Sequence, residues 1–381
     1  MAKTAVLALD GLQAVIDGLR VQGYTVLGPT VADGVIDYRT ITSVDDLPRG
    51  WGDAQDNAAY RLRRRDDDAL FAFACGAQSA KPVFFPADQV LWRSRLREDG
   101  PEVDPPEETA PGPPYAYLGM RSCDLAAIGI HDQVLTGRAA ADAHYVRRRE
   151  DSVIIAVTCS DPAGTCFCVS MDTGPVPRQG YDLALTELYA DDPHRFVAQA
   201  GTPRGEELLA GVGAPEATAT DLDSARRVGE EAAGRMGRHL ETAGLKDLLY
   251  ASVDSPVWDE IATRCLSCTN CTLVCPTCFC TSVEDVSDLT GTSGARHRVW
   301  DSCFSEDYSY IHGGAVRESP SARYRQWMTH KLASWKDQFG MSGCVGCGRC
   351  VTWCPAGIDI TAEAAELRRD AHHQGRSTEP S

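Results

Sequence analysis

The sequence has no apolar stretch long enough to cross a membrane, and its mean hydropathy is negative. A spanning helix needs about 20 predominantly apolar residues, so membrane insertion is not expected and membrane contact would have to come through a partner. Positive charge is also short: 37 Lys and Arg stand against 54 Asp and Glu, a formal charge of −17. General nucleic-acid binding sets cations opposite phosphates, so no nucleic-acid partner is expected. The N-terminus offers no export signal, because the apolar run Ala5 to Leu9 is cut short by Asp10, and the expected compartment is a reducing cytoplasm. A complete dinucleotide fingerprint and a Walker A loop are missing; Gly211-x-Gly213 is closely followed by Pro215 and preceded by no buried strand. No acid, base or nucleophile constellation stands out. No catalytic residue is therefore assigned, and the chemistry has to come from a bound group.

Cysteine is what the chain has in excess, with 16. Half of them form two runs, Cys265-x2-Cys268-x2-Cys271-x3-Cys275-Pro276 and Cys344-x2-Cys347-x2-Cys350-x3-Cys354-Pro355. This is the bacterial ferredoxin spacing, in which three close thiolates hold one cubane and the fourth, before proline, reaches to the other cluster. The spacing predicts one [4Fe-4S] cluster on Cys265, Cys268, Cys271 and Cys354, and a second on Cys344, Cys347, Cys350 and Cys275. Zinc competes for close thiols, but structural zinc sites present two pairs separated by a longer finger, often with histidine. Disulfides belong to oxidising compartments and small secreted scaffolds.

At 381 residues the chain has room for two or three packed units. Residues 1–204 read as an α/β domain. The apolar segment Ala5 to Leu9 precedes a helix carrying Leu12, Val15, Ile16 and Leu19, Asp33-Gly34 marks a hairpin, Tyr115 to Gly119 is a strand, and Asp124 to Leu135 is a helix. Val153-Ile154-Ile155-Ala156-Val157 is a buried parallel strand. Arg61, Arg63, Arg64 and Arg65 directly precede Asp66, Asp67 and Asp68, which reads as a self-neutralising solvated face. The acidic, proline-rich residues 101–114 are expected to be irregular. Residues 205–254 read as a helical connector, 255–370 as a mostly α-helical ferredoxin-like domain with two [4Fe-4S] clusters, and 371–381 as a disordered tail. Helices are expected to start at Ser255-Pro256 and Ser319-Pro320. The second carries an aromatic packing stripe and Arg323, Arg325, Lys331 and Lys336, expected to form a solvated face or to offset cluster charge.

Cys123 and Cys159 fall just past strand ends, where open α/β sheets gather ligands, and Cys166 and Cys168 lie in the loop after Cys159. Two readings stand for these four: a third [4Fe-4S] cluster, favoured by placement and by Arg121 nearby, or buried inert thiols, favoured by the uncommon C-x-C spacing. Cys75, Cys278, Cys280 and Cys303 are expected to be core thiols.

Arg121-Ser122-Cys123-Asp124-Leu125, Gly164 to Met171, Cys275-Pro276-Thr277-Cys278-Phe279-Cys280, Trp300 to Phe304 and Tyr310 to Gly314 carry a resemblance beyond spacing. The chain resembles the [4Fe-4S] dicluster family that includes the β, electron-transfer subunits of cytoplasmic NAD(P)-linked [NiFe] hydrogenases, or sulfhydrogenases, and the electron-transfer subunits of anaerobic sulfite reductases. The resemblance implies that the chain passes electrons without itself performing the terminal chemistry. It also implies a partner that binds FAD and a nicotinamide nucleotide, and a [NiFe] hydrogenase or sirohaem-bearing sulfite reductase partner where that chemistry takes place.

Overall fold

The β-branched run Val153–Val157 forms the strand expected of it, with all five residues buried. In this computed structural model, which describes residues 3–104, 113–137, 140–191 and 193–375, that strand is the centre of a seven-stranded sheet. The spatial order is Thr4–Ala8, Arg195–Ala200, Leu183–Leu188, Val153–Val157, Tyr115–Met120, Thr25–Ala32 and Val35–Thr40. The four strands from Leu183–Leu188 to Thr25–Ala32 are mutually parallel, and the remaining pairings are antiparallel. Leu12, Val15, Ile16 and Leu19 bury one face of the helix Leu9–Val21 against this sheet. Asp33 and Gly34 take the left-handed backbone (φ 51° and 78°) that a two-residue hairpin needs.

The segment expected as a helical connector is helical at Pro203–Gly211, Ala219–Gly234 and Leu245–Ala251. Leu208 and Leu209 of the first helix join the core of the large sheet, and Leu245, Leu248 and Leu249 of the last join a second core. That second core is built on Trp258, Phe304, Tyr324, Trp327 and Met328, so the aromatic stripe after Ser319 is packing, as expected. The Ser319 hydroxyl accepts from Ala322 N at 3.1 Å and caps its helix. The final helix runs from Ile360 to His373.

The cysteine-rich part is less purely helical than its composition implies. Thr281–Ser287 and Ser293–Trp300 form an antiparallel hairpin, and its second strand pairs with Asp88–Arg97 of the N-terminal part, giving a four-stranded sheet shared between the two. Much of the hairpin's first strand is exposed and polar, so it carries no alternating apolar signal. Residues 105–112 of the acidic, proline-rich segment and 376–381 of the polar tail lie outside the described residues; Gly100–Val103, at the segment's start, forms a strand. Among the described residues no helix is long and apolar enough to cross a membrane.

Candidate metal centres

The two cysteine runs fold alike. The helix Val257–Arg264 delivers Cys265, and a helical turn, Asn270–Leu273, follows; in the second run the corresponding turn is Arg349–Thr352. In each run the second and fourth residues after the first cysteine are left-handed: Ser267 (φ 50°) and Thr269 (φ 67°), then Gly346 (φ 65°) and Gly348 (φ 76°). Such backbone costs a non-glycine residue about 1–2 kcal/mol, which the first run tolerates at Ser267 and Thr269. The second has no choice: a Cβ on Gly346 would lie 2.6 Å from Phe167 O, and one on Gly348 2.5 Å from Thr165 O. The second run therefore packs backbone to backbone on the loop bearing Cys166 and Cys168, and Phe167 N donates to Gly346 O at 2.8 Å.

Cys265, Cys268, Cys271 and Cys354 line one apolar pocket with Phe304, Tyr324 and Ile358. Cys275 lies close enough to Cys344, Cys347 and Cys350 to act on their charges. Cys354 thus shares a pocket with the first three cysteines of the other run, a pocket that Cys350 also lines, and Cys275 lies near the first three of the second run as well as near Cys271 of its own. Backbone N–H groups point at the sulfurs: Ile358 N at Cys354 Sγ and Gly346 N at Cys344 Sγ, both at 3.4 Å. Burial raises Cys344 to about 11 and Cys347 to about 12, so these thiols ionise readily only where a bound cation replaces the proton. A hydrogen bond from Cys278, assisted by Lys331 and Thr277, holds Cys275 well below the usual thiol range. Lys331 is 5 % exposed, and its Nζ lies 3.3 Å from Cys275 Sγ and 2.8 Å from Thr277 Oγ1. Burial opposes its charge, but Cys275 and Cys278 outweigh that and keep it protonated. Of the four cations expected on that helix, Lys331 is the one turned onto a thiolate. Arg323 and Arg325 instead donate to backbone carbonyls. Soft sulfur donors with N–H groups aimed at them suit a cuboidal iron–sulfur cluster, and the buried ammonium offsets negative charge beside them.

The parallel strands Tyr115–Met120 and Val153–Val157 bring Cys123 and Cys159 to the same end of the sheet, as expected. Cys159, Cys166 and Cys168 act on one another's charges, and each also feels Cys75. Cys75 is buried, as a core thiol would be, yet its Sγ lies 3.5 Å from Cys123 Sγ, within this group rather than away from it. Arg121 lowers Cys75 and Cys159, but at Cys159 burial outweighs it and raises the thiol to about 11. The guanidinium donates to Phe71 O at 2.7 Å and Phe73 O at 2.9 Å.

Those bonds account for a segment that sequence reasoning treated as plain core. Ala69 to Ala74 is buried without regular structure, and buried backbone polar groups need partners. Glu187 accepts from Leu70 N (2.6 Å) and Phe71 N (2.8 Å), and Asp53 accepts from Ala74 N (3.0 Å). Cys75 is presented at the end of this braced segment. The arginine cluster also does more than solvate: Arg63 and Arg65 bind Asp161, two residues past Cys159, at 3.1 and 2.9 Å. Arg349, inside the second run, forms a fully buried two-point pair with Asp124 (2.8 and 3.1 Å) and donates to Gly76 O and Gln78 O. One side chain thus ties the second run to the residues flanking both Cys75 and Cys123. No sequence spacing announces these partners, which lie more than two hundred residues apart.

Cys278, Cys280 and Cys303 are partly exposed rather than fully buried and line a common pocket, with Cys303 also packed against the second core. A hydrogen bond from Cys303, supported by Tyr308, brings Cys280 down to about 6.

A family model described as a 4Fe-4S dicluster domain matches residues 264–358, which contain both runs. The chain is 32% identical over 328 residues to Sulfhydrogenase 2 subunit beta of Pyrococcus furiosus, covering 85% of this chain and 93% of that protein. No solved structure matches. Near-complete coverage takes the likeness through the α/β part as well as the cysteine runs, and the chain belongs to the sulfhydrogenase β-subunit family, with a 4Fe-4S dicluster domain near its C-terminus.

Proposed function

We propose that this chain is the electron relay of a multi-subunit oxidoreductase, standing between a subunit that binds FAD and NAD(P)H and a [NiFe] hydrogenase core. The observation that carries this reading is the apolar pocket in which Cys354 of the second run meets Cys265, Cys268 and Cys271 of the first. Cys265, Cys268, Cys271 and Cys354 would hold one [4Fe-4S] cluster, and Cys344, Cys347, Cys350 and Cys275 the other. When bound, such clusters accept and pass single electrons. The chain's own residues hold the ligands rigid, exclude water with Phe304, Tyr324 and Trp327, and set a positive charge, Lys331, beside Cys275. Cys268 is exposed, which suits the first run to face a partner. Cys123, Cys159, Cys166 and Cys168, with Cys75 among them, form a third group fitted to a cluster packed directly against the second run. The name of the Pyrococcus relative favours hydrogenase partners over a sulfite reductase.

A reductive titration of the anaerobically isolated chain, followed by EPR, tests the relay: neighbouring reduced cubanes give spin-coupled signals, and their absence overturns it. Cys354→Ala should alter the EPR signal of the first centre, with loss of about one to four irons per chain, and leave the second centre's signal. Cys159→Ala with Cys166→Ala should remove about four more if the third group carries a cluster. Recovery of the native complex identifies the assembly: a flavoprotein with nickel supports the proposal, and sirohaem transfers the chain to a sulfite-reducing complex.

A further inference from the structure

The sixteen cysteines fall into the two runs, the group around Cys75, and Cys278, Cys280 and Cys303, which neither the runs nor the α/β group uses. The fold brings these last three together. Thr281 pairs with Trp300 at the open end of the hairpin, and Asp301 N donates to Cys280 O at 2.9 Å, so the residues just outside the hairpin, Cys280 and Cys303, meet. Cys278 joins them from two residues upstream. All three face a pocket of about 370 Å³ that Lys331 and Tyr308 also line and that Cys275 does not. That is far more room than the water-sized voids found around packed core thiols.

Their spacing narrows what fits. Among the described residues, three ligand atoms lie within 4.8 Å of one another at Cys75, Cys123 and Asp124 alone. Cys278, Cys280 and Cys303 are not in such a group, so the three do not converge on one tetrahedral zinc ion, whose ligands crowd a single centre. The buried ammonium of Lys331 acts on Cys278 as well as on Cys275 and offsets the charge of thiolate ligands. Cys278 touches Cys275, and Cys303 feels Cys271, so the pocket borders both runs.

We propose that Cys278, Cys280 and Cys303 ligate a further [4Fe-4S] cluster whose fourth iron faces the pocket and takes a small exogenous ligand, water or a solvent thiolate. This goes beyond the relay, because an iron without a fourth protein thiolate is open to small molecules.

The test uses the full chain, reconstituted anaerobically with ferrous iron and sulfide. Cys280→Ala and Cys303→Ala are each expected to lose about four irons and four sulfides relative to the unsubstituted chain, while the spin-coupled signals of the two runs persist. Full iron in either overturns the site. Because the readout is a difference, it holds whether or not the α/β thiols carry a cluster, and failure here leaves the relay signals intact. A second measurement stands where a variant fails to fold. Cyanide added to the reduced unsubstituted chain should alter the EPR signal of one cluster, and an unchanged spectrum overturns the open iron.

Discussion

Arg349 and Asp124 are 1 % and 2 % exposed, and their pairing leaves neither charge uncompensated. Removing one partner of such a pair strands the other in a low-dielectric interior, at about 3–5 kcal/mol. Arg349→Met is therefore expected to destabilise the chain by that amount in urea unfolding, and Asp124→Asn with Arg349→Met by less than either alone. Under the proposed relay, Lys331 sets a positive charge beside the centre that Cys275 would join. Losing about 1 kcal/mol of favourable interaction with the reduced state corresponds to about 40 mV for one electron, so Lys331→Met should make the adjoining centre harder to reduce in an EPR-monitored titration. His131 is buried, and burial pushes its imidazole down to about 3. The unfolded chain takes up a proton near pH 6.5 that the folded one refuses, so the folded state loses stability as pH falls below about 6.5. His131→Gln should flatten that loss between about pH 6.5 and 5, where carboxylates are still largely ionised; a slope equal to that of the unsubstituted chain excludes the imidazole as its source.

At the scale of elements, what could be read in the sequence was whatever repeats locally. The strand Val153–Val157, the helix behind Leu12 to Leu19, the Ser319 cap and the cysteine runs all follow from short-range periodicity or spacing. The hairpin Thr281–Trp300 does not, because exposed polar strands lack an apolar alternation, and its pairing with Asp88–Arg97 is a long-range fact. The placement of Cys75 was illegible for a different reason. A run such as Phe71 to Ala74 looks like core, and only the carboxylates of Glu187 and Asp53, far along the chain, reveal that it is braced irregular backbone. Gly346 and Gly348 show the limit of motif reading: their neighbours in the first run are Ser267 and Thr269, so the motif does not demand glycine, and the Thr165–Cys168 loop does. Gly348→Ala should accordingly cost about 1–3 kcal/mol through strain and overlap with Thr165 O, measured by unfolding, with the thiol loop rather than the run itself displaced.

On the scale of the whole molecule, the acidic balance, −17 overall, sits beside internal cations committed to thiolates and to backbone. The net charge is strongly negative, so partner docking should favour basic surfaces and weaken with salt. The large sheet ends in thiols, the second run packs on the loop carrying two of them, and the hairpin pairs with a strand from the N-terminal part. These junctions make one body of what composition divides into an α/β part and a cluster part. The hairpin strand Ser293–Trp300 takes its neighbour, Asp88–Arg97, from some two hundred residues upstream. A fragment cut to the dicluster boundaries would therefore emerge with a bare, hydrogen-bond-hungry ribbon, prone to recruit other chains; the ribosome has already made its proper mate before the first thiol of either run appears.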